Sequence, residues 1–188
     1  KLGGGENSPL VSNHDIYIGR RNNPFNEQEK LFFPGVISDV RIYNYALTEE
    51  KVSELYDPPT TTTEAPTTTT KQAVEIINEE TVLHLELNGN LDDISGNNNN
   101  VKFTGSLEFE DNGKGNGKKA LVFDGSSLLK IPSPSTSLAN ELSITMWVKF
   151  DDLKSSSLPQ TLISKYYLNE FDLTISDKIY FFNGTNDS

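Results

Sequence analysis

The chain has 188 residues, 35% of them hydrophobic and 10% aromatic, which is enough for a packed core in one domain or two small ones. Its formal net charge of −11, spread along the chain, argues against binding to nucleic acid or to an anionic membrane surface. There is no cysteine, so disulfides and thiolate metal sites are excluded, and no apolar run approaches the roughly 20 residues of a membrane span.

The opening KLGGGENSPL lacks the charged-then-apolar pattern of a secretion signal. The chain starts on Lys rather than Met, and the expectation is a piece of a longer polypeptide. DIYI, residues 15–18, reads as a short strand ended by Gly19 and the polar loop RRNNPFNEQEK. In VISDVRIY, alternation predicts a strand with Val36, Ser38, Val40 and Ile42 on an inner face. Ile37, Asp39, Arg41 and Tyr43 would point the other way. Thr48 is a good helix N-cap, with Glu49 and Glu50 where the helix dipole favours negative charge. Val52, Leu55 and Tyr56 then fall on one face of a short amphipathic helix that Pro58 ends.

Residues 57–71, DPPTTTTEAPTTTTK, hold eight Thr, three Pro and no large apolar side chain. Such a segment cannot bury enough surface to offset its ordering entropy. Its prolines bias it toward an extended path, which at about 3.1 Å per residue reaches roughly 45 Å. The composition is that of O-glycosylated stalks, and Thr60, Thr61, Thr62, Thr63, Thr67, Thr68, Thr69 and Thr70 are the candidate acceptors. The alternative is an unmodified flexible linker. Two N-glycosylation triplets, at Asn183 and Asn186, point the same way as the stalk.

After the spacer, TVLHLELNG alternates, with Val82, His84 and Glu86 set against Leu83, Leu85 and Leu87. ALVFDGSSLLKI reads as strand, tight Asp-Gly turn, strand. In LSITMWVKF, Ile144, Met146, Val148 and Phe150 lie on one face, with Thr145, Trp147 and Lys149 on the other. TLISKYY, FDLTIS and KIYFFNG are three more short strands. Strands at this spacing with turn signals between them predict an antiparallel sandwich.

GVISDVRIYNYALTEEKVSELY resembles the closing segment of laminin-G-like, concanavalin-A-like lectin domains, and DIYIGRR resembles the strand before it. LHLELNGNLDDISGNNNNV, ALVFDGSSLLKIP and LSITMWVKF resemble the opening blocks of the same family. Its central block is not visible. The resemblance implies an all-β, antiparallel sandwich of jelly-roll type. It divides the chain into a C-terminal half over 1–56, a linker over 57–73 and an N-terminal half over 74–188. A half sandwich would expose strand edges and an apolar face, so its complement must come from elsewhere. One arrangement is a window on a tandem array, each half completed by a neighbouring repeat. The other is a permuted unit, completed within the chain or by another copy.

Chemistry-bearing constellations are sparse. His14 and His84 have no obvious partner in the sequence, and Glu108 and Glu110 read as solvated edge residues rather than a glycosidase pair. NLDDISGNNNN offers Asp92, Asp93, Ser95 and Asn97 as oxygen ligands for a hard cation. The resemblance implies that some members of the family hold a structural calcium near this loop, with Asp39 matching the acidic residue of the closing strand; an Asx-rich turn without metal is the alternative. Trp147, the only tryptophan, is the candidate ring for stacking on a sugar, although core packing would also explain it. The expectation is a non-enzymatic structural or adhesive module of an extracellular or cell-surface fibre, with neighbouring copies as partners. Rivals are a carbohydrate-binding module that takes glycans, and a fragment of a secreted glycosidase.

Overall fold

The computed structural model describes residues 14–23, 26, 31–56, 81–113, 116–132, 141–150, 159–165, 171–176 and 178–183. They form an all-β sandwich of two antiparallel sheets with one short helix. The strands are β1 (Ile16–Ile18), β2 (Pro34–Tyr43), β3 (Thr81–Leu85), β4 (Lys102–Thr104), β5 (Phe109–Asp111) and β6 (Lys119–Asp124). They continue with β7 (Leu128–Ile131), β8 (Ser143–Phe150), β9 (Gln160–Lys165), β10 (Phe171–Ile175) and β11 (Ile179–Asn183). Helix α1 spans Glu49–Tyr56, and the Lys51 amide donates to Thr48 Oγ1 at 3.3 Å, the expected N-cap. None of these elements is an apolar helix long enough to cross a membrane.

One six-stranded sheet runs β11-β10-β9-β1-β7-β4. The other is organised around β2. Its residues Pro34–Ile37 pair with β6 and Val40–Tyr43 with β3, end to end along one edge, while β8 follows nearly its whole length along the other. Among the described residues, the sequence before the spacer thus contributes two strands, and each lies inside a sheet. β1 pairs with β7 and β9, and β2 with β3, β6 and β8, all of them drawn from beyond the spacer. The complement expected from a neighbouring repeat or copy is supplied here by the two segments of one chain to each other. The physical reason is the one that made a half sandwich untenable: β1 and β2 fill slots whose edges would otherwise be unpaired.

The core joins both layers. Ile16, Ile18, Leu129, Ile131, Ile163 and Phe171 of the first sheet face Ile37, Val40, Ile42, Leu83, Leu85, Leu121 and Phe123 of the second. Phe33 sits between Phe123, at 6.1 Å, and Phe150, edge-on at 5.6 Å. Two glycines let the backbone approach these rings. Gly35 has φ +142, and a Cβ there would lie 2.5 Å from the Lys149 carbonyl and 2.6 Å from the Phe33 ring. At Gly19, with φ +83, it would lie 2.4 Å from Phe123.

The inner face of β2 differs from simple alternation. Ile37 belongs to the core, and so do Val40 and Ile42, whereas Val36 and Ser38 turn outward. The register against β8 slips between Ser38 and Arg41. Asp39 sits in the slip with φ +51, a left-handed conformation that Asp tolerates better than most residues. This bulge switches the inward face from odd to even positions halfway along the strand.

Candidate functional site

The bulge places Asp39 on the outer face of the β2-centred sheet, beside Arg41 and across from His84, the register partner of Arg41 on β3. Arg41 holds the carboxylate with two bonds, Nε to Oδ1 at 2.9 Å and Nη2 to Oδ2 at 3.2 Å. The His84 Nε2 is 3.0 Å from Asp39 Oδ1, so the histidine has a partner that sequence alone did not reveal. Burial would raise the Asp39 carboxyl, but the bonds from His84 and Arg41 and the guanidinium charge outweigh it and bring the pKa down to about 2. Burial likewise pushes the Tyr43 hydroxyl up.

Asp93 lies behind the backbone of the same histidine. Its Oδ1 accepts the amides of His84 and Ser95, both at 3.0 Å, and its Oδ2 accepts the Asn99 amide at 3.0 Å and Asn99 Nδ2 at 2.8 Å. The Ser95 hydroxyl is 2.9 Å from Oδ2. Burial raises this carboxyl, and the amide bonds from His84, Asn99 and Ser95 more than reverse it, leaving it below the usual range. Asn97 Nδ2 donates to the Thr81 carbonyl, and Asn99 Nδ2 to the Val82 carbonyl. The loop therefore caps the outer edge of β3, satisfying main-chain groups that an edge strand would leave open.

The sequence-predicted cation ligands are thus brought near one histidine but turned to different tasks. Asp39 binds its ring side, Asp93 its main chain, Ser95 and Asn97 are donors within the cap, and Asp92 is exposed. Both half-buried carboxylates already accept several donors, which a cation would have to displace. Among the described residues no group of three or more His, Asp or Glu side chains is arranged to hold a metal ion.

Trp147 lies on the outer face, next to Ser38 in register, and the exposed ring of Tyr56 stacks on it at 5.6 Å and 22°. Around this stack opens a cavity of about 490 Å³, lined by Val52, Leu55 and Tyr56 of α1, by most of β8, and by Leu173, Ile175 and Ile179 of β10 and β11. Asp39 is its one charged lining residue among the described residues. It exists because the first sheet is six strands wide, whereas in the second β3 and β6 share one position beside β2. Leu173, Ile175 and Ile179 therefore lie beside the edge of β8 that, among the described residues, pairs with no strand. Ile179 is 71% exposed there, Val52 50% and Tyr56 74%, so the apolar face of α1 borders this opening rather than a closed core.

A second polar cluster pins the turn after β1 to the first sheet. Arg21 Nη2 is 2.7 Å from Asp172 Oδ2, Nε donates to the same oxygen at 2.9 Å, and Thr174 and Thr161 continue the chain of bonds. Both charges are buried, and burial raises the Asp172 carboxyl despite the guanidinium. Nothing in the sequence flags this pair, because its members are 151 positions apart.

Among the other candidates, Glu110 is half-buried and paired with Lys149 at 2.9 Å, and Glu108 is exposed. Asn183 ends β11 opposite Phe171. Thr60 to Thr63, Thr67 to Thr70 and Asn186 lie outside the described residues. No family model, curated protein or solved structure matches the chain.

Proposed function

We propose that this chain is a non-enzymatic structural or adhesive module of an extracellular or cell-surface protein. In this reading laminin-G-like units repeat along the polypeptide, each carrying a Thr/Pro-rich, O-glycosylated spacer between α1 and β3. One observation carries it: β1 and β2 do not pair with each other, yet each is an interior strand of a sheet built from the other side of the spacer. A sandwich assembled across a long tether suits an array in which neighbouring units interlock. The Thr-rich composition of residues 57–71 adds to this, since such segments act as spaced, protease-shielded stalks. The test is homophilic adhesion. Beads coated with the chain are expected to cluster in buffer free of sugars and other proteins. Beads that stay dispersed at every coating density overturn the reading.

A carbohydrate-binding module is the second reading, favoured by the Tyr56–Trp147 stack on the same face as Asp39 and Arg41. Retention on immobilised glycans that Trp147→Ala abolishes would favour it over the first.

A further inference from the structure

We infer that residues 14–56 are a donor unit that can complete the sheets of a second copy of this chain, a proposal that rests on the structural-module reading above. Among the described residues every strand pair made by β1 and β2 crosses the spacer, and neither strand pairs with another element of its own segment. The register partners of β1 and β2 are therefore the same whether the donor comes from its own chain or from a neighbour. The Arg21–Asp172 pair and the His84–Asp39 pair also span the two segments and would be re-formed intact.

The two arrangements differ only in the path of residues 57–80. At about 3.1 Å per residue that stretch could span roughly 75 Å. A body of this length has a radius of gyration near 16 Å, so the tether can reach a neighbour's slot as well as its own. A donor slot at one place and a donor unit at another make the contact heterologous. Exchange then either closes reciprocally between two copies or, where each copy donates onward to the next, propagates head to tail as a fibre needs.

Closure within one chain is favoured by an effective concentration in the millimolar range for a short flexible tether, falling as the tether lengthens. Exchange therefore competes once copies are held near millimolar local concentration, as they are on one surface or along one array. The donor's interior slots also set the lifetime. An exchanged unit leaves only by breaking β1 and β2 out of both sheets at once, so exchange is slow after folding and set mainly during it.

The chain has no cysteine of its own, which makes the test direct. Val36 on β2 and Lys149 on β8 are register partners. Val36→Cys and Lys149→Cys are introduced into separate full-length chains, and the two are mixed, unfolded, refolded together at about 1 mM and oxidised. The same two substitutions in one chain serve as the geometric control, since facing strand positions bring Cβ atoms within disulfide reach. The expected result is a covalent Val36→Cys/Lys149→Cys heterodimer well above the level of either homodimer, with a yield that falls several-fold when refolding is done at 10 μM. Heterodimer no more abundant than homodimer at 1 mM, with the one-chain control closing readily, overturns the proposal. Bead clustering is read separately. Clustering without heterodimer leaves the adhesive reading standing and removes exchange as its basis, whereas heterodimer without clustering does the reverse.

Discussion

Replacing Asp39 should separate two things that one residue does at the centre of β2. Its carboxylate binds Arg41 through two bonds and the His84 ring through a third, and its backbone sits at φ +51. A carboxyl held at about 2 instead of the usual 3.8 is worth about 2 kcal/mol at neutral pH. Asp39→Asn keeps the shape and the tolerance of left-handed backbone, so it should cost about 2 kcal/mol, or a fall in Tm of roughly 4–8 °C for a chain of this size. Asp39→Ala adds the strain of a Cβ residue with no local polar group, about 1 kcal/mol more, and Asp39→Gly should recover that part. The folded-state pKa lies below the unfolded one, so this stabilisation is complete above about pH 4 and is lost as pH falls toward 2. Asp93 and Asp124 are also held below the usual carboxyl range, Asp124 at about 2, so they too contribute on acidification. The informative quantity is therefore the difference between the wild-type and Asp39→Asn proteins, which should shrink to near zero by pH 2. Urea unfolding followed by the emission of Trp147, whose strand pairs with β2 at Ser38, measures it. An Asp39→Asn protein within about 0.5 kcal/mol of wild type at pH 7, with a parallel acid profile, would refute the reasoning.

Arg21→Ala strands the fully buried Asp172 carboxylate and should cost about 3–5 kcal/mol by urea unfolding, whereas Arg21→Met with Asp172→Leu should recover most of that loss. Gly35→Ala forces a Cβ against the Lys149 carbonyl and the Phe33 ring; about 3 kcal/mol of destabilisation is expected, and a loss under 1 kcal/mol would mean β2 and β8 are less tightly seated than 2.5 Å implies. Tyr56→Ala removes a stacked but exposed ring, so it should cost no more than about 1 kcal/mol while shifting Trp147 emission to the red. Millimolar calcium should leave Tm unchanged, because the donors on Asp39 and Asp93 occupy the oxygens it would need; a rise in Tm that Asp93→Ala abolishes would show that the loop does take the cation.

Local pattern was legible where one residue's neighbours in sequence are also its neighbours in space. The strands of TLISKYY, FDLTIS and KIYFFNG, the Asp-Gly turn between β6 and β7 and the Thr48 cap were all readable on that basis. The inner face of β2 was not. Alternation assumes an uninterrupted pleat, and a single left-handed residue puts Ile37 with Val40 and Ile42 on the face between the sheets and leaves Val36, itself buried, on the other. Nor was β4, three residues whose pairing with β7 rather than any alternation defines it. The site was legible by residue type and illegible by partner. Asp39, Asp93, Ser95 and Asn97 were visible as polar groups in a suggestive order, but only tertiary placement shows that amides, a guanidinium and a ring already fill their oxygens.

The same separation between residue and partner sets how this protein must fold. Segment 81–183 holds both sheets' outer strands but leaves β7, β9, β3, β6 and β8 each short of the neighbour that β1 or β2 provides. Ser38 meets Trp147 and Ile18 meets Ile163 across more than a hundred residues, so these pairs form only after a long loop has closed. Until then the chain carries unpaired edges flanked by Val82, Leu83, Leu121 and Ile163, the kind of surface that recruits any available strand. A fold with that intermediate is expected to aggregate at high chain density unless the recruited strand is the correct one. Donor strands from adjacent copies are correct by construction. Under the proposed array of tethered copies that liability would become a route to assembly, and refolding yield should fall least where neighbours are identical.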